Sequence, residues 1–116
     1  MKFKLIVALV TDEKTDDVIE AGRQEGATGS TTITAARGEG LNPKKTFFGL
    51  TLEGQRDVVL FLVEEHLSRG ILEAIGRAGR FDEDHGAGVA FQIDIEDAVG
   101  LRNQIENIQR EIGDQL

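Results

Sequence analysis

The chain contains no cysteine, no tryptophan and no tyrosine, and Pro43 is its single proline. The lack of cysteine excludes disulfide bonds, thiolate-bound metals and a cysteine nucleophile. Aromatic residues make up 5% of the chain, and all of them are phenylalanine. The 40% hydrophobic content is enough for a core, which must therefore be built mainly from aliphatic side chains.

Excess positive charge and a long apolar run are also missing. The net charge of −8 disfavours non-specific binding to nucleic acid or to an anionic membrane. The apolar run near the N-terminus is much shorter than the ~20 residues that span a membrane. Thr11 to Lys14 follow that run directly, without the small-residue cleavage site of a signal peptide. We therefore expect a cytoplasmic protein.

The hydrophobic patterns predict the order strand, helix, strand, strand, helix, strand. Apolar runs over Lys2–Val10 and Asp57–Val63 predict buried strands, and the helical apolar spacing over Glu64–Ala78 predicts an amphipathic helix. The other predicted elements are a helix from Asp12 to about Glu25, a strand over Thr28–Ala36, an extended segment over Thr46–Leu52, a strand over Gly88–Ile93 and a helix over Ile95–Ile112.

This order predicts an α+β fold of the ferredoxin-like, split βαβ-βαβ type, with helices on one face of an antiparallel sheet. We assign residues 1–95 to that domain and residues 96–116 to a C-terminal helical extension. The central strands are apolar on both faces, so the second face of the sheet must also be covered. Either the C-terminal helix or neighbouring subunits could cover it, and the double-sided apolarity favours an oligomer.

Two glycine pairs lie next to predicted strand ends. Gly38 and Gly40 follow the second strand, beside Arg37, and Gly86 and Gly88 precede the last strand. Glycine lets the backbone approach a ligand closely and present N–H groups to an anion. A single such pair is more often only a turn, so the case for a site depends on both pairs lying at the ends of one sheet.

These stretches resemble the PII signalling proteins and their PII-like relatives over about residues 2–95. The run from Gly26 to Thr31 is similar to the family's G-x-T-G-x-T, and Arg37-Gly38-Glu39-Gly40 is similar to the K-G-x-G that opens its T-loop. Gly79-Arg80-Phe81 and Gly86-Ala87-Gly88 are similar to the two halves of its B-loop. The resemblance implies a homotrimer that binds an adenine nucleotide between subunits. It also implies a regulatory rather than catalytic role, with a membrane transporter or its cytoplasmic domain as the partner.

The resemblance also implies roles for individual residues. Thr31 would contact the adenine, and Arg37, Gly38 and Gly40 would line the nucleotide at the base of the T-loop. Gly86, Ala87 and Gly88 would donate backbone N–H groups to phosphate. Arg80 would replace the first B-loop lysine, and Arg56 lies near the lysine that the family places before its third strand. The implied partner-binding loop uses Lys44, Lys45 and Phe47, with packing of Phe47 in the sheet as the alternative.

The chain also departs from the family pattern. Val89 stands where the B-loop has a second lysine, and Asp94 to Asp97 replace the two arginines after the last strand. The loop over residues 38–45 is shorter than a full T-loop, and without tyrosine the chain cannot be uridylylated on one. Each charge-assisted phosphate contact contributes roughly 1.5–3 kcal/mol, so the loss of these cations should cost affinity for a triphosphate. We therefore expect ADP or AMP to be favoured over ATP, with Mg²⁺ as a possible accompanying ion.

Two other readings remain open. The four-residue insert Asp82–His85 could hold a divalent cation through Asp82, Asp84 and His85, although a solvated acidic loop is the more common meaning of such a cluster. A divalent-cation-tolerance-like trimer is one alternative class, but its expected metal-ligand pattern is not evident and the glycine motifs fit PII better. A small ferredoxin-like enzyme is the other alternative. His66 and His85 are the only histidines, and no nucleophile with an adjacent base is recognisable, so we expect no catalytic residues.

Overall fold

The computed structural model describes residues 1–36, 46–47, 50–51, 56–103 and 105. The elements are β1 (Phe3–Thr11), a 3-10 helix (Asp12–Lys14), α1 (Thr15–Gln24), β2 (Thr31–Ala36), β3 (Thr46–Phe47), β4 (Leu50–Thr51), β5 (Arg56–Glu64), α2 (Glu65–Gly79) and β6 (Gly88–Asp94). None of the helices in these residues is long and apolar enough to cross a membrane.

Four strands form one antiparallel sheet in the order β2-β5-β1-β6. The strands β1 and β5 lie in the middle, as their long apolar runs predict, while β2 and β6 form the two edges. Helices α1 and α2 cover one face. This arrangement confirms the predicted split βαβ-βαβ fold.

The core lies between the two helices and the covered face of the sheet. Alternate residues of β1 and β5 point into it, and each helix contributes an apolar stripe. The core residues buried to 2% exposure or less are Ile6, Ala8, Val10, Val18, Val59, Phe61, Val63, Ile71 and Ile75. Phe61 is the one bulky aromatic ring among them. A Cβ atom on Gly22 of α1 would lie 2.8 Å from Phe61 Cε1, so close packing of α1 on the sheet requires glycine there.

The opposite face of the sheet, which we call the open face, is also apolar. Strand register places β1, β2, β5 and β6 side chains together on it. These open-face residues are Leu5, Val7, Leu9, Ile33, Val58, Leu60, Leu62, Val89, Phe91 and Ile93. Ile33 remains 51% exposed and Ile93 47% exposed in the single chain, so a large apolar surface faces solvent.

Three predicted boundaries differ in the structure. Strand β2 begins at Thr31 rather than Thr28, and two short paired strands, β3 and β4, replace one extended segment over Thr46–Leu52. The prediction that a helix begins at Ile95 is wrong. Ile95 instead donates its N–H to Phe3 O at 3.2 Å, which prolongs the pairing of β6 with β1. The first helical residue after β6 is Arg102, two residues beyond Gly100 with its φ of +90°. Most of the predicted C-terminal helix lies outside the described residues.

Candidate functional site

Several predicted site residues meet at one end of the sheet. Arg56 begins β5 and lies in register with Thr11, at the end of β1, and with Ala36, at the end of β2. Gly88 begins β6 and lies in register with Val10. The end of β2 at Ala36, Arg56 and Gly88 therefore lie at the same end of the sheet.

The backbone around Gly88 leaves one N–H group directed outward. Thr11 donates its N–H to Ala87 O at 3.4 Å, so Thr11 and Ala87 form a hydrogen-bonded pair of the antiparallel ladder. The next pair, Val10 and Gly88, is then of the non-hydrogen-bonded type, in which N–H groups point away from the partner strand. The Gly88 N–H therefore points away from β1 at an edge of the sheet.

The other two residues of this stretch differ from Gly88. Gly86 has a φ of +74°, a left-handed conformation that favours glycine. Ala87 is buried and donates its own N–H to Asp84 O at 3.1 Å. A phosphate contact from the Ala87 N–H would require that hydrogen bond to open, whereas the Gly88 N–H is directed outward already.

Phe81 anchors the loop that leads to Gly88. Its ring packs between two glycines, because a Cβ atom built on Gly79 would overlap Phe81 Cε1 and one built on Gly88 would lie 2.5 Å from the same atom. Arg80 takes up the left-handed conformation that ends α2, with a φ of 54°, where glycine is the usual residue. Part of the glycine signal in this stretch therefore reflects packing around Phe81.

Lys14 is a site residue that the sequence patterns do not single out. Its Nζ donates to Gly79 O at 2.8 Å and to Asp84 Oδ2 at 3.0 Å, which ties the 3-10 helix after β1 to the loop after α2. Arg80 Nε lies 3.2 Å from the same Asp84 oxygen. The hydrogen bonds from Lys14 and then Arg80 hold the pKa of Asp84 below its usual value. Only the fold brings Lys14 and Asp84 together, since 70 residues separate them in the sequence.

The acidic insert is not arranged around a cation in the described residues. Asp84 is engaged by Lys14 and Arg80, and the group of three ligating side chains that does converge lies elsewhere, at Glu64, Glu65 and His66. There the Glu64 carboxylate is 2% exposed and accepts the His66 N–H at 2.8 Å, which caps α2. Helix capping accounts for the buried Glu64 without a metal ion.

The Glu64–His66 contact predicts a dependence of stability on pH. Glu64 Oε1 lies 2.5 Å from His66 Nδ1, and this hydrogen bond raises the pKa of His66 above 6.5. A raised folded-state pKa stabilises the fold fully below the unfolded value of about 6.5, and this contribution is lost as pH rises through the folded value. We therefore expect His66→Ala to lower the melting temperature more at about pH 6 than at about pH 9. In a Glu64→Gln background the pH dependence of the His66→Ala effect should shrink, because only the weaker influence of Glu65 on the pKa of His66 remains. An undiminished pH dependence there would contradict the assignment.

The remaining predicted residues are not brought to this end by the described structure. Thr31 is in register with Leu60, four residues along β5 from Arg56, which corresponds to roughly 13 Å. Phe47 belongs to β3. Arg37, Gly38, Gly40, Lys44 and Lys45 lie outside the described residues.

Strand β2 is irregular at its last residues. Ala35 has a φ of 59°, a left-handed conformation that is uncommon for alanine, and the register of β2 against β5 shifts between Ile33 and Ala36. Such bulges redirect a strand and are frequent next to functional sites. Here the bulge lies at the Arg56 end of the sheet.

The fold and the loop before β6 define a small ferredoxin-like domain with a glycine-rich loop at one end of its sheet. Residues 3–105 match the family described as nitrogen regulatory protein P-II, and the chain belongs to that family. No curated protein matches the sequence.

Two solved structures share the fold. One is CPII from Thiomonas intermedia K12, solved with ADP, AMP and acetate, with a TM-score of 0.64, 20% identity, and coverage of 84% of this chain and 89% of that one. The other is a PII-like signalling protein from Thermus thermophilus, with a TM-score of 0.59, 24% identity, and coverage of 82% of this chain and 87% of that one. The chain is therefore similar in fold to PII-like signalling proteins over most of its length.

Proposed function

We propose that this protein is a PII-like cytoplasmic regulator that binds an adenine nucleotide between the subunits of a homotrimer. The observation that carries the proposal is the shared end of the sheet, where Arg56, the last residue of β2 and the outward-directed Gly88 N–H are all found. A cation and a backbone donor at one end of a sheet suit a phosphate group.

The positions of Thr31 and Gly88 favour a site made by two subunits. Thr31 lies on β2 and Gly88 on β6, which are opposite edges of the sheet. Three strand spacings separate these edges, which is about 14 Å across the sheet. One nucleotide can contact both residues more readily if the β2 edge of one subunit faces the β6 edge of the next. The open face supports the same assembly, because a trimer would bury it.

Fewer phosphates are expected than in a full ATP site. Val89 supplies no charge where the family has a lysine, and Arg80 is already paired with Asp84. We therefore assign ADP or AMP as the favoured ligand, with any Mg²⁺ held chiefly by the phosphates. CPII, which shares the fold, was solved with these two nucleotides, and this supports the assignment.

The segment over residues 37–45 is the part of the chain that we propose to contact the regulated partner. Nucleotide at its base would change its conformation, and Lys44, Lys45 and Phe47 would then engage a partner. A membrane transporter or its cytoplasmic domain is the partner that we propose. This role needs no catalytic residue, since ligand binding alone can shift the populations of two loop conformations.

Calorimetric titration with ATP, ADP and AMP, each with and without Mg²⁺, tests the proposal. We expect Arg56→Gln to weaken ADP binding roughly tenfold, the effect of losing one charge-assisted contact to phosphate. Arg69→Gln is the matched control, because Arg69 is an exposed residue of α2 that pairs with Glu73. Binding of none of the three nucleotides, or equal effects of the two variants, would count against this site. Melting curves of both variants check that the fold is retained.

A further inference from the structure

The acidic insert brings a carboxylate to two cations of the loop that leads to Gly88 and of the 3-10 helix after β1. Asp84 Oδ2 lies 3.0 Å from Lys14 Nζ and 3.2 Å from Arg80 Nε. The same residue is linked to the glycine stretch through its backbone, since Asp84 O accepts the Ala87 N–H. The two cations and Ala87, which directly precedes the outward-directed Gly88 N–H, thus belong to one hydrogen-bonded unit.

The two cations hold Asp84 differently. The Lys14 side chain is 21% exposed and also donates to Gly79 O, so it fixes the carboxylate in place. The Arg80 side chain is 60% exposed, and its guanidinium could reach a ligand if it left Asp84. A carboxylate and a phosphate are both acceptors for arginine, so they compete for the same donors.

We propose that Asp84 is a specificity-determining residue that competes with ligand phosphate for Arg80 and so disfavours nucleotides with additional phosphates. This inference rests on the proposed nucleotide site and extends it to the choice among ATP, ADP and AMP. Lys14 is the positioning residue, because its two hydrogen bonds keep the carboxylate beside Arg80. A ligand with more negative charge at this loop must displace Asp84 or accept its repulsion.

Asp84→Asn tests this inference, because asparagine keeps the shape and one acceptor oxygen while it removes the charge. We expect ATP to bind roughly tenfold more tightly to the variant, about one charge-assisted contact, while AMP changes by much less. Asp82→Asn makes the same change of charge two residues away, at an exposed position with no ion pair to another described residue, and should leave the ATP-to-AMP affinity ratio unchanged. Because the chain has no tryptophan or tyrosine, calorimetry is the suitable readout.

The double variant Arg80→Gln/Asp84→Asn distinguishes two explanations. Asp84 could compete with phosphate for Arg80, or its negative charge could simply repel the ligand. If Asp84 acts by occupying Arg80, the gain for ATP should disappear in the double variant. An unchanged ATP-to-AMP ratio in Asp84→Asn, or a gain that survives Arg80→Gln, would overturn this inference while leaving nucleotide binding intact. If neither the native chain nor Asp84→Asn binds any of the three nucleotides, the proposed function fails and this inference fails with it.

Discussion

Replacing Gly88 by alanine is expected to lower the free energy of unfolding by about 3 kcal/mol, the upper end of the usual cost of overpacking. The new Cβ atom would lie 2.7 Å from the Leu9 carbonyl oxygen and 2.5 Å from Phe81 Cε1. The ring could move, but Leu9 O belongs to the backbone of a central strand, which cannot yield without disturbing β1. Chemical denaturation of the two proteins at equal concentration measures the difference, since association also contributes to apparent stability.

Gly76→Ala is the matched control for this prediction. Gly76 lies inside α2, and a Cβ atom built there has no neighbour within 4 Å. Alanine in a helix interior is favoured over glycine, so we expect Gly76→Ala to raise stability by up to about 1 kcal/mol. Similar destabilisation by both substitutions would show that the Gly88 effect is not steric.

The close contacts of Gly88 also make its substitution a poor test of ligand binding. A bulky substitution removes space next to the outward-directed N–H group, and it also forces apart β1, β6 and Phe81. Loss of nucleotide binding in such a variant would therefore follow from either cause. Substitutions at Arg56, Asp84 and Arg80 change charge at partly exposed side chains and separate the two effects better.

The sequence was sufficient for the fold because its strongest signals are local. The alternating and continuous apolar runs of β1 and β5 and the stripe of α2 each depend on residues within one element. The sequence was less informative where the hydrogen-bond partner of a backbone group is distant in the sequence. Ile95 reads as the first apolar position of a helix, but its N–H completes a ladder with Phe3, a residue 92 positions away.

The candidate site could be predicted only in part, for the same reason. The glycines at 86 and 88 are visible as a motif, yet the sequence does not show that Phe81 fills the space beside Gly79 and Gly88. Nor does it show that the acidic insert meets Lys14 rather than a metal ion. These contacts join residues that neither periodicity nor motif spacing relates, so only the folded chain reveals them.

The assembly prediction concerns Val7, at the centre of the open face. Val7 lies between Leu60 of β5 and Phe91 of β6 in the strand register. If three subunits bury this face, Val7→Asp places an unpaired carboxylate in an apolar interface, which costs about 3–5 kcal/mol and should weaken association by roughly a hundredfold or more. Light scattering after size exclusion should then show monomers, and nucleotide binding should be lost because the proposed site is made by two subunits.

Val99→Asp makes the same chemical change at a position that is 98% exposed, after β6, and should leave both mass and nucleotide binding unchanged. Comparing the two variants distinguishes the effect of a charge on the open face from the general effect of one more negative charge on a chain that already carries −8. A Val7→Asp protein that keeps the mass of a trimer would show that subunits meet through another surface. A monomeric Val7→Asp protein that still binds ADP at native affinity would place the whole site within one subunit, contrary to the opposite-edge positions of Thr31 and Gly88.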